Sequence, residues 1–258
     1  MTISFLCLMP TYGRKPELLN NSIACFAAQS YPHKNLMIYD DLGTLERTWC
    51  ALPNVYVYST RERAPSLGEK YNIMLRLANE HYASYDAVAV WDDDDCYLPD
   101  YLATHARTLQ DHRWSKPSRI ISAFHQPPME EPGTGRFHGS IAISRGLVEE
   151  VPWIDTVRAT FDQEYLQALS SVVAPGDTCE YGSPQYVYRW QTSGSSHCSG
   201  LMSDTDWYAK YKPQSVENIV SLLPRMDQDT HDIYQRYAAG WSLNQFYPKT
   251  FLGNVVAE

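Results

Sequence analysis

The sequence predicts an α/β fold: a single Rossmann-like domain with a mostly parallel central sheet flanked by helices, continued by a C-terminal helical extension. Three observations predict it. Through the first 124 residues, short apolar runs alternate with helical patterns, the β-α-β rhythm of a parallel sheet covered on both faces. One run, Ala87–Trp91, leads straight into Asp92-Asp93-Asp94-Asp95, an acidic strand end of the kind that builds a ligand crevice in α/β proteins. And 258 residues with 44% apolar and 20% charged side chains are enough to bury a sizeable core.

The elements follow in order. Ile3–Met9 is an apolar run closed by Pro10, hence a buried strand. Pro16 to Gln29 places Leu18, Leu19, Ile23, Phe26 and Ala27 at helical spacing, with proline in the first turn. Leu36–Tyr39 and Val55–Tyr58 are two more short strands. Ser66 to Tyr82 is a helix with Tyr71, Met74, Leu75 and Ala78 on one side. Ala87–Trp91 is the fourth strand, Pro99 to His112 a helix, and Ile120–Phe124 the fifth strand of the parallel sheet. The rhythm then breaks. His125 to Arg136 is rich in Pro, Gly and Glu and reads as a loop. Ser140–Ile143 is a strand, Thr160–Ser171 a helix and Tyr186–Trp190 a strand. Gln191–Ser203 is a Ser- and Gly-rich loop, and Gln214–Leu223 and Asp227–Ala239 are helices before an aromatic tail. No repeat, low-complexity tract or linker divides the chain.

Composition excludes several classes. Lys and Arg number 21 against 30 Asp and Glu, a formal charge of −9, where a general nucleic-acid binder needs a basic footprint. The same balance disfavours docking on an anionic bilayer. No apolar run reaches the roughly 18 residues of a membrane helix. MTISFLCLMPTYGR lacks both a preceding basic residue and a small-residue cleavage site, so it reads as a first strand and not a signal peptide. The six cysteines are scattered without a C-x-x-C pair, which points to a reducing cytoplasm and away from structural zinc.

Four adjacent carboxylates at the end of a buried strand repel one another, and holding them there calls for a compensating cation. Hard oxygen ligands suit Mg²⁺ or Mn²⁺, and Mg²⁺ usually takes one or two carboxylates plus substrate phosphates. The alternative is a solvated acidic turn that caps the following helix.

Five segments resemble, in order, the glycosyltransferases of the GT-A fold, most of all family 2. Met9–Arg14 (MPTYGR) is similar to the opening turn that receives the nucleotide, which implies donor contacts for Pro10, Thr11, Tyr12 and Arg14. Ile38–Gly43 (IYDDLG) resembles the VDDGS motif, without its serine, implying a nucleobase contact at Asp40 and Asp41. Ser66–Asn72 (SLGEKYN) resembles the G-x-x-x-N helix start, placing Lys70 and Asn72 beside the donor. Val90–Leu102 (VWDDDDCYLPDYL) resembles the hallmark acidic segment, with Asp92-x-Asp94 as the DxD motif and Pro99 in register. Phe161–Leu169 (FDQEYLQAL) resembles the acidic ED motif that supplies the base, with Phe161 where glutamate usually stands and Asp162 as the match.

The resemblance implies a metal-dependent transfer of a sugar, hexosyl or pentosyl, from a nucleotide-sugar donor, UDP-linked, to an acceptor hydroxyl with inversion. Asp94 would hold Mn²⁺ or Mg²⁺, Asp92 the ribose, Asp93 the donor, and Asp162 would be the base, unless Asp162 merely anchors its helix. In a helix starting here, Asp162 and Glu164 do not share a face. His197, in GSSHCSG, has the place in the chain of the histidine that joins the metal in many such enzymes, and Gln191–Ser203 would then order as a lid over the donor. Arg189, Trp190, Arg61 and Arg63 are further candidates for phosphate or acceptor contacts, and Trp153, Trp207 and Tyr208 for an aromatic acceptor groove. Residues 1–205 would form the catalytic domain, 1–124 its nucleotide-sugar half and 125–205 its acceptor half, with 206–258 the helical extension.

Two other classes remain open. A strand ending in D-x-D also opens certain phosphatases, but Cys96 stands where their motif wants Thr or Val, and the segment lies far from the N-terminus. A nucleotidyltransferase shares the general fold, but MPTYGRKPE lacks its Gly-rich loop. A binding module without turnover is the third alternative. The acceptor is a glycan, a small molecule or another hydroxyl compound; a modified DNA base is disfavoured by the acidic charge.

Overall fold

The computed structural model describes residues 2–14, 16–50, 52–81, 84–123, 127–156, 160–189 and 220–240. In chain order these form β1 (Phe5–Thr11), α1 (Pro16–Ala27), β2 (Lys34–Asp40), β3 (Leu45–Cys50), β4 (Val55–Ser59), α2 (Leu67–His81), β5 (Ala87–Val90), β6 (Cys96–Tyr97) and α3 (Tyr101–Thr108). There follow β7 (Trp114–Lys116), β8 (Arg119–Ser122), β9 (Met129–Pro132), β10 (Ala142–Ser144), α4 (Arg145–Glu150), α5 (Phe161–Val172), β11 (Gly176–Asp177), β12 (Tyr186–Tyr188), β13 (Val220–Leu222) and α6 (Gln228–Tyr237).

The main sheet has the order β11-β7-β10-β5-β1-β2-β4. β1 pairs in parallel with β2 and β5, and β2 with β4, while β10 inserts antiparallel between β5 and β7. The period of two along β1 sorts its side chains between two cores. Phe5, Cys7 and Met9 pack with Ile23 and Phe26 of α1 and Tyr101 and Leu102 of α3. Leu6 and Leu8 pack with Tyr71 and Met74 of α2 and Tyr165 and Leu169 of α5. A strand buried on both faces reads as the unbroken apolar run seen at its start.

Three expectations change. Ile120 and Ile121 lie in β8, which belongs to a second sheet of order β6-β12-β8-β9 and not to the parallel one. The edge of β5 is taken by β10, and Pro117 ends β7 so that the chain turns away into β8. The stretch expected as a loop contains β9, an exposed edge strand paired antiparallel to β8, where Arg119 bridges Glu130 at 2.7 Å. Finally, the described end of the helix expected at Gln214–Leu223 is β13, paired with β3. Leu222 is fully buried while Leu223 is exposed, an alternation that suits a strand.

The C-terminal elements dock on α1. The Leu223 amide donates to Asn20 Oδ1 at 2.6 Å and the Asp227 amide to Asn21 Oδ1 at 3.3 Å. Asp227 caps α6 by accepting from the Thr230 amide at 2.8 Å. Ile233 and Tyr234 of α6 are buried in the same core as α1.

Candidate active site

The carboxyl ends of β1, β2 and β5 meet the first turns of α2 and α5, where α/β sheets bind ligands. Two sets of aspartates lie there, and the structure treats them differently.

Asp40 and Asp41 close β2. The Asp40 carboxylate accepts from the amides of Leu42, Thr44 and Leu45 at 3.0, 2.6 and 2.9 Å, and from the hydroxyls of Thr44 and Ser59 at 3.2 and 2.9 Å. Asp41 accepts from the Ala64 amide at 3.1 Å and pairs with Lys70 at 2.6 Å. Lys70 Nζ also donates to the Thr11 carbonyl at 2.6 Å, and burial lowers its pKa despite the Asp41 charge. Asp40, Asp41 and Lys70 thus knit β1, β2 and α2 together. Asn72 bonds both the amide (3.2 Å) and the carbonyl (3.0 Å) of Trp153, anchoring that segment to α2.

The run after β5 opens toward the mouth. Arg14 forks across it, Nε on Asp93 at 2.8 Å and Nη2 on Asp94 at 2.9 Å. Its loop is shaped by Gly13, whose φ of +60° few other residues adopt. Pro10 and Thr11 end β1 below this loop, and the Arg63 guanidinium lies 3.6 Å over the Tyr12 ring. Asp95 faces inward, accepting from the Arg189 amide at 2.8 Å and from the Tyr186 hydroxyl. Asp92 differs from the other three. Its backbone is fixed by the Tyr97 and Ser22 hydroxyls, but among the described residues no hydrogen bond to its carboxylate is found. The carboxylate lies against Gly139, where a Cβ would come 2.0 Å from Oδ2. Burial raises the Asp92 pKa well above the usual carboxylate range, and the charges of Asp95, Asp94, Asp162 and Asp93 add to it. Burial also raises Asp93, against the pull of Arg14.

Asp162 stands in the first turn of α5, and its charge reaches Asp92 and the Tyr71 hydroxyl. The sequence's DxD aspartate and its acidic helix start, 70 residues apart, are therefore brought to one crevice. Glu164 instead turns outward to accept from the Thr160 hydroxyl at 2.6 Å.

Several candidates take other roles. Arg189 is buried and pairs with Asp227 at 3.2 Å and Thr230 at 2.9 Å, joining β12 to α6, so it is not a phosphate contact. Trp153 is not an acceptor platform; it is buried, stacked between Tyr71 and Tyr165 at 4.8 and 5.0 Å. The stem of Arg61 packs on Gly43. His197, Trp190, the loop Gln191–Ser203, Trp207 and Tyr208 lie outside the described residues. Among the described residues no cluster of three His, Cys, Asp or Glu side chains is set to hold a metal by itself. Two parts of the site escape sequence reading. Gly139 could have been found only through its contact with Asp92, and Tyr71 reads as one more apolar residue on a helix face.

The fold, a large central sheet flanked by helices, is similar to glycosyltransferase structures. In particular it is similar to Staphylococcus aureus TarS. The TarS 1–349 structure aligns with a TM-score of 0.56 at 12% identity over 72% of this chain, and the longer TarS structure with 0.55 at 12% over 73%. TarS 1–349 in complex with UDP-GlcNAc aligns with 0.59 at 13% identity over 80%. This chain spans 60%, 37% and 64% of those three chains. No family model and no curated protein matches the sequence.

Proposed function

We propose that the chain is a glycosyltransferase of the GT-A type, moving a sugar, hexosyl or pentosyl, from a UDP-linked donor to an acceptor hydroxyl with inversion. The observation that carries the reading is the crevice at the carboxyl ends of β1 and β5, where the carboxylates of Asp92 and Asp162 act on each other and Arg14 closes the mouth. The shared fold with a protein crystallised with UDP-GlcNAc supports the donor class.

The donor set suits a divalent cation. The run is all hard oxygen, and Arg14 balances only part of its charge, leaving Asp92 without a cation among the described residues. Asp94 with Asp92 would hold Mg²⁺ or Mn²⁺, which when bound supplies positive charge at the leaving diphosphate. The chain's own groups do the rest. Thr11, Tyr12 and Arg14 line the phosphate end, and Arg14 can exchange a carboxylate for a phosphate oxygen. Asp162 accepts the proton of the acceptor hydroxyl as its oxygen attacks the anomeric carbon. The bond from that carbon to the diphosphate breaks on the opposite face, and its electron pair leaves with the phosphate oxygen.

A panel of nucleotide sugars, read by thermal shift with and without Mn²⁺, tests the reading, because a ligand stabilises the native state according to its occupancy. A UDP-sugar should raise the melting temperature of the parent and not of Asp94→Ala, and transfer should stop in excess chelator. Full activity in chelator removes the cation, and a flat panel removes the reading.

A further inference from the structure

A short turn, Arg136–Ser140, runs beside the aspartate crevice, and one buried cation holds it. Lys116 ends β7, and its Nζ donates to the Arg136 carbonyl, to the Phe137 carbonyl at 3.3 Å and to Ser140 Oγ at 3.1 Å. The three N–H groups of the ammonium thus meet three neutral oxygens of one turn. Among the described residues no carboxylate pairs with it, and burial, followed by the Arg136 guanidinium, lowers its pKa to about 7. A buried ammonium without a counter-ion is costly, so its place in the fold calls for a reason.

The turn it holds is strained. Phe137 sits at φ +63°, in the left-handed region that a bulky aromatic residue rarely adopts. Two adjacent carbonyls that face one nitrogen require a bend at the residue between them, and that residue is Phe137. The Phe137 carbonyl also accepts from the Ser140 amide and hydroxyl at 3.1 and 2.7 Å. The Arg136 carbonyl has no other donor among the described residues. Lys116 alone therefore orients the peptide on which the bend depends.

The bend delivers Gly139 to Asp92. A Cβ on Gly139 would come 2.0 Å from Asp92 Oδ2 and 2.9 Å from its Cγ, so only glycine leaves the carboxylate where it is. The Gly139 carbonyl accepts from the Tyr97 and Tyr101 hydroxyls at 3.3 Å each, and the Tyr97 hydroxyl accepts from the Asp92 amide at 2.5 Å. The turn thus touches the Asp92 side chain directly and its backbone through one hydroxyl. Neither contact depends on the charge that Asp92 carries.

We infer that Lys116 is a positioning residue of the donor site: it holds the strained turn that seats Gly139 against Asp92, and so fixes where that carboxylate points. This rests on the donor reading above.

Lys116→Met keeps most of the stem and removes the ammonium. An apolar group of similar size in place of a buried charge is often neutral for stability, so the melting temperature should stay within about 2 °C of the parent's. Calorimetric titration with Mn²⁺ and UDP-GlcNAc, or whichever panel sugar stabilises the parent more, is run at about pH 6, where the ammonium is present. The Kd should rise about fivefold or more. Gly139→Ala leaves Lys116 in place and pushes on Asp92 from the same side, so its loss should be comparable. The double variant should bind little more weakly than either single one, since both act through one contact. An unchanged Kd in Lys116→Met overturns the inference and leaves the donor reading standing. So does a double variant whose losses simply multiply. A Lys116→Met protein that melts several degrees lower overturns it too, since the lysine would then serve the fold at large. A parent that binds no nucleotide sugar fails the donor reading itself, and this inference with it.

Discussion

The aspartates at the end of β2 and those after β5 are the same residue type on the two strands that flank β1, yet they are solved in opposite ways. Asp40 is saturated by three amides and two hydroxyls, and Asp41 by an amide and Lys70. Their charge is used up in holding three elements together. After β5, Asp95 follows that pattern, whereas Asp92 is left in a carboxylate-crowded crevice. What separates the two sets is the supply of donors around each carboxylate, and not its position on the sheet. Crowded like charges that are tolerated and not relieved are a common mark of sites that handle a ligand.

The comparison can be broken in three places. Its largest effect lies on the unrelieved side. Asp162→Asn keeps the size of the side chain and removes the proton acceptor, so turnover should fall by roughly 10²–10⁴. Donor affinity and melting temperature should hold, as read by steady-state transfer and thermal shift; Glu164→Gln, on the outward face, is the control and should stay near parental. On the relieved side the effect moves from rate to stability. Asp40→Ala leaves five donors without their acceptor and should cost about 3 kcal/mol or more in denaturant unfolding. An Asp40→Ala protein as stable as the parent would erase the distinction. The smallest effect has the opposite sign. Asp92→Asn relieves a buried like-charge cluster and should raise stability by about 1 kcal/mol while weakening donor binding, the exchange of function for stability common at active sites. A destabilised Asp92→Asn would mean that its carboxylate is held as Asp40 is.

How much of this was legible in the sequence follows from which contacts are local. β1, β2, β4 and β5 stood out as apolar runs, and α1, α2 and α5 by their spacing, because burial on both faces or one leaves a periodic trace. β8 was legible as a strand but not the sheet it joins, and β7, β9 and β11 left little trace: they are two to four residues long, and Met129–Pro132 carries two glutamates that only an exposed edge tolerates. β13 looked helical because Val220, Leu222 and Leu223 are apolar with only Ser221 between them, and only the pairing with β3 shows it to be a strand. At the site, the carboxylates were readable as a motif. The fork from Arg14 to Asp93 and Asp94 spans 79 and 80 residues, and no spacing rule reports it. Arg189 looked like a free cation beside a loop, since its partner Asp227 lies 38 residues further on. Tyr71 was hidden by being apolar in pattern and polar at one atom.

The docking of the C-terminal elements on α1 has a consequence for how the chain comes to be folded. Asn20 is made early, but the amide it serves belongs to Leu223, 203 residues later. At about 5–20 residues per second of synthesis, α1 waits roughly 10–40 s for that partner. Through this interval the side of α1 that will meet Leu222 and α6 has nothing to rest on, while β1, β2 and β5 can already pair around it. Contacts so far apart in sequence also close slowly once the whole chain is present. A newborn chain therefore leaves this side of α1 uncovered until residues 220–237 arrive.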